Sequence, residues 1–306
     1  MVWGVRWNRW FAIGAGAALL VLAALLGSPA ARATFPGRPG LVAFDSHGRI
    51  WTVSPTTAGS ARELGVGIEP AFSPNGKLIV FTKGGGKLIV MRSDGSGERT
   101  VFSAPESADL GHPCFSADGQ TIFFSRDTGG EGYSDIYSVP LAGGSPRRLT
   151  HTGGHSTEVA SDFPEAASNG RFVAFQQNGS VMTMRPDGSH LKVLTKGLDP
   201  SISANSRQVV VQRFEKLAIV GAGGGGERIL DLFPTKHPGE LIREASAPAF
   251  SPDGRSIVFT LRRTNDAGPQ LHQSKQLEIY SFATHKIRPL TNAQVGGSNP
   301  DWQPAP

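Results

Sequence analysis

The stretch "PAFSPNGKLIVF", from Pro70 to Phe81, returns at Pro248 as "PAFSPDGRSIVF", and this doubled hairpin constrains the fold more than any other feature of the chain. Two short apolar runs flank a Ser-Pro-Asx-Gly turn. Pro in the second turn position presets φ at about −65°, Asx bonds local backbone groups, and Gly supplies the positive φ needed for reversal. Three further copies of equal length follow the same plan: "PCFSADGQTIFF" from Pro113, "PEAASNGRFVAF" from Pro164 and "PSISANSRQVVV" from Pro200. Each ends on an apolar residue eleven positions after its proline: Phe81, Phe124, Phe175, Val211 and Phe259. The copy at Pro200 has Ser206 where the others have Gly, so its turn is expected to be the least regular.

The starts of these units lie 43, 51, 36 and 48 residues apart, so the hairpin is held constant while the connections vary. Periods in the forties that contain several short strands read as propeller blades; helical solenoids would show a 3.6-residue pattern. After each hairpin comes a second strand pair, as in "KLIVMRSDGSGERTVF", "DIYSVPLAGGSPRRLT", "SVMTMRPDGSHLKVLT", "KLAIVGAGGGGERIL" and "EIYSFATHKIRPLT". With 39 Gly, 22 Pro and only 18% charged residues, the composition agrees with a turn-rich β protein and argues against long helices.

The chain ends set the blade count. Pro300 opens a sixth unit, "PDWQPAP", which stops before a second strand, while "GLVAFDSHGRIWTVSPTTAGSARELG" near the start supplies a second, third and fourth strand but no first. Joining residues 300–304 to residues 41–44 makes one sheet from both ends. The expectation is all-β: a six-bladed β-propeller of four-stranded antiparallel blades, its ring closed by the N- and C-terminal segments. Closure also removes the open sheet edges that invite aggregation.

On the "FSPDG…IVF" signature, present at Phe72–Phe81 and Phe250–Phe259, the chain resembles the TolB-like six-bladed propellers over residues 40–304; the copies at Pro164 and Pro200 are worn. The resemblance implies the propeller without the α/β domain that precedes it in TolB, and without the hydrolase domain found in peptidases of the prolyl oligopeptidase type. It also implies protein partners more than small molecules.

Residues 1–33 differ in kind. Arg6 and Arg9 precede an apolar stretch over residues 11–26, and Ala31-Arg32-Ala33 offers small residues for cleavage. This is the order of a secretory signal, cut after Ala33. The alternative is an uncleaved membrane anchor formed by residues 11–26, close to the roughly 18 residues that span a bilayer. The expected domain plan is a signal peptide at 1–33 and a propeller over 34–306, placing the protein in the periplasm, at the cell surface or outside the cell. The segment carries Arg6, Arg9 and Arg32 and no acid, so of 30 Lys and Arg, 27 remain against 25 Asp and Glu. The near-balance gives no footprint for nucleic acid. Cys114 is the single cysteine, which excludes an internal disulfide, and an inert buried thiol is its expected state.

Two sets of connections share one face of such a disc: those between blades, and those between second and third strands. The long insertions fall in these sets, at residues 125–135, 151–163, 231–247 and 261–278, and loops on a rigid scaffold commonly carry function. The residues before the motif prolines form a set of six, Glu69, His112, Phe163, Asp199, Ala247 and Asn299, expected to ring the channel mouth. They could collect a cation or polar ligand, or simply cap a water-filled funnel. The segment "HTGGHSTEVASDF" adds His151, His155, Glu158 and Asp162, types that suit a metal but lie at loop spacing, and an ordinary polar loop is the default. Asp127, Glu131 and Asp135 lack the calcium-loop pattern and read as a solvated turn. Gly84-Gly85-Gly86-Lys87 and residues 223–226 lack the phosphate-loop ending and read as tight turns. Trp51, Trp302, Phe81, Phe124 and Phe259 read as core.

No Gly-x-Ser-x-Gly elbow occurs, and the lone Cys114 lacks a nearby activating base in its motif. The reading is an exported, non-enzymatic, monomeric binding scaffold that needs no cofactor, with binding candidates Glu69, His112, Asp199, Asn299, His151, His155, Glu158 and Asp162. A protein is the expected partner and a carbohydrate the second choice. The alternative from another class is a metal-assisted, lyase-like carbohydrate enzyme using His112, His151, His155 and His237. A third reading is a sensory module held at the membrane by residues 11–26.

Overall fold

The computed structural model describes residues 35–57, 59–105, 108–127, 134–152, 160–233, 240–266 and 271–305. Among these residues there is no helix, and hence none long and apolar enough to cross a membrane. The segment read as an export signal or anchor lies outside them.

Six four-stranded antiparallel sheets form the blades. Blade one takes its inner strand, Ser298–Ala305, from the end of the chain and its other strands, Arg38–Ser46, Arg49–Val53 and Arg62–Val66, from the beginning. Val42 faces Trp302 and Ala43 faces Asp301 in this closing pair. The inner strands of blades two to six are Ile68–Phe72, Leu110–Phe115, Ser161–Ala166, Leu198–Ile202 and Glu240–Phe250. Each inner strand touches the next, and that of blade six touches that of blade one, so the ring is shut.

The repeated hairpin is held by a hydrogen-bond net from its serine and Asx side chains. In blade two Ser73 Oγ donates to Asn75 Oδ1 at 2.8 Å and accepts from Leu78 N at 2.9 Å, while Asn75 Oδ1 also accepts from Lys77 N at 3.0 Å. The same net joins Ser116, Asp118 and Thr121, and again Ser251, Asp253 and Ser256. Serine therefore locks the turn to the returning strand, while the Asx side chain holds the turn itself. Gly76 is required twice over: its φ is +66°, and a Cβ there would lie 2.4 Å from the carbonyl oxygen of Pro304.

The turn with Ser206 is as regular as the rest, against expectation. Ser206 N donates to Ser203 O at 2.8 Å as Gly76 N does to Ser73 O, and Ser206 takes a φ of +53°. The Ser203 and Asn205 net is intact and forces serine into the glycine conformation.

Burial follows the repeat. The residues two after the prolines include Phe72, Phe115, Ile202, Phe250 and Trp302, and those eleven after include Phe81, Phe124, Phe175, Val211 and Phe259; all are buried. They sort into six apolar clusters, and each cluster fills the seam between two neighbouring blades. Trp51 packs half-buried against the seam of blades one and six.

Two expectations about loops are corrected. Much of residues 240–247 and 261–278 is strand: blade six extends as Glu240–Phe250, Ser256–Asp266 and Leu271–Ser281. The long antiparallel register from Ser256–Ser281 to Asp266–Leu271 satisfies the backbone groups that a loop would expose. Asp135 is not a solvated turn residue. It is buried, accepting from Thr150 Oγ1 at 2.6 Å, Thr152 N at 3.0 Å and Thr152 Oγ1 at 2.8 Å, and paired with Arg148. Glu131 lies outside the described residues.

Candidate functional site at the channel mouth

Each inner strand begins on the face where the blades connect, and each carries an irregularity at its motif proline. The cross-strand register slips between Ile68 and Ala71, Gly111 and Cys114, Asp162 and Glu165, Leu198 and Ser201, and Ser246 and Ala249. In blade one the slip falls between Ala43 and Asp45 opposite the inner strand. A bulge re-aims a side chain out of the strand's alternation. The six residues before the prolines all have left-handed backbone: Glu69 at +58°, His112 at +46°, Phe163 at +54°, Asp199 at +47°, Ala247 at +44° and Asn299 at +49°. Six such values among non-glycine residues, at one repeat position, mark a constraint of the ring rather than six local accidents.

These residues, their prolines and the residues that follow line a single axial cavity of about 100 Å³. It has three tiers. The mouth holds Glu69, His112, Phe163, Asp199, Ala247 and Asn299. Below the prolines lie Ala71, Cys114, Glu165, Ser201, Ala249 and Asp301.

The mouth is stitched from blade to blade. Asp45 Oδ1 accepts from Glu69 N at 3.1 Å and from Asn299 Nδ2 at 2.8 Å; Glu69 Oε2 accepts from His112 N at 2.8 Å; Asp199 Oδ2 accepts from Ala247 N at 3.0 Å. His112 is clamped on both sides, with Nδ1 2.9 Å from Asp162 Oδ1 and Nε2 3.2 Å from Glu69 Oε1. Its ring also packs on Phe163, with centroids 3.6 Å apart. Burial pushes the imidazole towards neutrality, but the Asp162 hydrogen bond and the Glu69 and Asp162 charges outweigh it and raise its pKa above the ordinary value. Asp162 is correspondingly lowered: burial opposes ionisation and His112 overcomes it. Burial raises Asp45 and Asp199, against hydrogen bonds from Asn299 and from Ala247 N respectively.

A histidine with both ring nitrogens held by carboxylates has neither nitrogen free to ligate a metal or to take a proton from a substrate. Of the sequence candidates, the structure brings Glu69, His112, Asp162, Asp199 and Asn299 together at the mouth. His151 is exposed in the connection after blade three and makes none of these contacts. His155, Glu158 and His237 lie outside the described residues. Among the described residues no group of three or more His, Cys, Asp or Glu is placed to hold a metal ion.

The lower tier was not singled out by sequence reasoning. Asp301 Oδ2 accepts from Phe72 N at 2.6 Å, Ser201 Oγ accepts from Phe250 N at 3.3 Å, and Glu165 is hydrogen-bonded by Ile202 N, so this position bridges to the next blade wherever it is polar. Its signal was the residue after each motif proline. Burial raises the Asp301 carboxyl to about 7 and pushes Glu165 and the Cys114 thiol well up. The thiol is buried as expected, although it lines the channel. A second missed signal is the residue after each terminal apolar position: Asp45, Thr82, Ser125, Gln176, Gln212 and Thr260 are all polar. Thr82 Oγ1 reaches Glu69 Oε2 at 3.3 Å, Ser125 Oγ donates to Gly111 O at 3.0 Å and Gln176 Oε1 accepts from Asp199 N at 3.3 Å, which supports the bulge from behind.

On the same face Phe214, at the turn joining the second and third strands of blade five, is 90% exposed. Gln212 Nε2 donates to its carbonyl at 3.1 Å and to Glu244 at 2.8 Å, while Ala245 N of blade six donates to Glu215 O at 3.0 Å, so a bare aromatic is held on a braced turn.

A six-bladed, four-stranded propeller closed by its own termini, with a polar axial mouth, defines the class. The chain belongs to the TolB beta propeller domain family, whose pattern matches residues 50–221. TolB from Acinetobacter baumannii is similar in fold, with a TM-score of 0.66 at 18% identity over 86% of this chain and 66% of that one. A putative TolB from Agrobacterium tumefaciens gives 0.55 at 16% identity over 86% and 91%. An oligogalacturonate lyase in complex with manganese gives 0.52 at 12% identity over 84% and 76%. No curated protein matches the sequence.

Proposed function

We propose that the protein is an exported, non-enzymatic binding scaffold that docks a protein partner on its channel-mouth face. The observation that carries this reading is the coexistence, on one braced face, of an acid-rimmed mouth and the exposed Phe214. An exposed aromatic near a polar recess is the pattern of a protein-binding anchor. The fold it shares with TolB proteins supports a scaffold role at the level of analogy. Export rests on residues 1–33, and N-terminal sequencing of the secreted protein should begin at Thr34.

The test is capture from an envelope extract by the wild type, by Phe214→Ser with Asp199→Lys on the mouth face, and by Lys77→Glu on the opposite face. The reading predicts a specific protein retained by the wild type and by Lys77→Glu, and lost from the mouth variant. No captured protein together with saturable binding of an oligosaccharide overturns it. A metal-assisted carbohydrate enzyme would need imidazole nitrogens free to coordinate, and those of His112 are both taken.

A further inference from the structure

Asp301 and Glu165 share the lower tier of the channel. They stand on blades one and four, opposite one another in a ring of six, and each closes the seam to the next blade through a backbone N–H, of Phe72 and of Ile202. The other residues of the tier, Ala71, Cys114, Ser201 and Ala249, include no base. We propose that Glu165 and Asp301 form a proton-operated lock in the channel wall: neutral, they hold the ring tight, and their ionisation puts two like charges into one lumen and loosens the ring.

Among the described residues that line the cavity there is no Lys or Arg to compensate. Asp301 is paired with Ala43 inside blade one and interacts across the lumen with Cys114 and Glu165. Glu278 of blade six is held by Arg263. Glu165 is met by Cys114 of blade three and, across the lumen, by Asp301. Asp135 is closed off by Arg148, and Arg126 lies over the Phe102 and Tyr137 rings. His112, the one described lining residue that can take a positive charge, is held by Glu69 and Asp162.

Burial raises both carboxyls, Asp301 to about 7. An acid whose folded pKa is raised keeps its proton in the folded state after the unfolded chain has lost it. Stability is then greatest at low pH and falls as pH rises from the ordinary carboxylate range through about 7, by up to about tenfold in the folding equilibrium per pH unit for each retained proton. Asp45 and Asp199 act in the same direction and remain in the variants below. The raised His112 adds a fall of the same sign only above the unfolded value of about 6.5, and it remains in every variant, so the range from about pH 5 to 6.5 isolates the carboxyls.

The lock needs no partner, so its test is independent of the binding reading. Urea unfolding between pH 5 and 8 compares the wild type with Asp301→Asn, Glu165→Gln and the double variant, whose amides keep an acceptor for the backbone N–H. The wild type should lose stability with rising pH, while the double variant should lose most of that slope between pH 5 and 6.5 and exceed the wild type at pH 8. Infrared titration should show a protonated carboxyl band at pH 6 in the wild type that weakens in each single variant and further in the double variant, where any remainder belongs to Asp45 and Asp199. A wild-type stability that is flat or rising across the window, an unchanged slope in the double variant, or no such band at pH 6 overturns the proposal.

Discussion

Asn299 Nδ2 donates to Asp45 Oδ1 at 2.8 Å, joining residues 254 positions apart in the chain. The bond lies inside blade one, where the termini pair, and the same Oδ1 accepts from Glu69 N of blade two. Ring closure and mouth geometry are thus one structural fact.

The His112 clamp predicts a distinctive pH dependence. Its raised pKa means that its contribution is fully present below the unfolded value of about 6.5 and is lost as pH rises through the folded pKa. His112→Gln should be less stable than the wild type by ~1–3 kcal/mol at pH 6, because Glu69 and Asp162 are left facing each other, and the gap should shrink by pH 9. Nitrogen NMR of the ring checks this directly: both nitrogens should remain protonated beyond the pH at which a free histidine has titrated.

Ser206 sits at a φ of +53° where the other copies have glycine. Ser206→Gly should stabilise the protein by ~0.5–1 kcal/mol, since glycine takes this left-handed backbone without the Cβ penalty that serine carries. Gly76→Ala should destabilise by ~2–4 kcal/mol, because the left-handed strain is joined by a clash with Pro304. Chemical denaturation of the two variants measures both signs.

Asp135 is a buried carboxylate satisfied by Arg148, Thr150 and Thr152. Asp135→Ala leaves the guanidinium and hydroxyls without their acceptor and should cost ~3–5 kcal/mol. Calcium should not change the wild-type melting temperature, since these oxygens are already occupied by donors. A calcium-dependent rise would contradict that assignment.

The blades, their number and their closure were legible because each depends on a pattern within one repeat: the turn chemistry of Ser73 to Gly76 and the apolar positions at Phe72 and Phe81. The six mouth residues were legible for the same reason, as the position before each proline. What joins them was not. Asp162 reads as the end of a polar loop, and only the placement of blade four beside blade three brings it to His112. The seam bridge from Asp301 to Phe72 N crosses 229 positions. Asp135 looked solvated because its partners Arg148, Thr150 and Thr152 come from the fourth strand of its blade and the segment beyond, a relation that spacing does not encode. The Ser206 turn misled because its glycine was weighed and its serine–asparagine net was not.

The most direct test of the account is a cross-link between the ends of the ring. Arg38 and Ala305 are paired across the closing strands. Arg38→Cys with Ala305→Cys, in a Cys114→Ser background, should form an intramolecular disulfide on mild oxidation and raise stability against urea by up to ~4 kcal/mol, since the loop it closes is nearly the whole propeller. Cysteines that stay reduced, or that link only between molecules, would contradict a ring shut by its own termini.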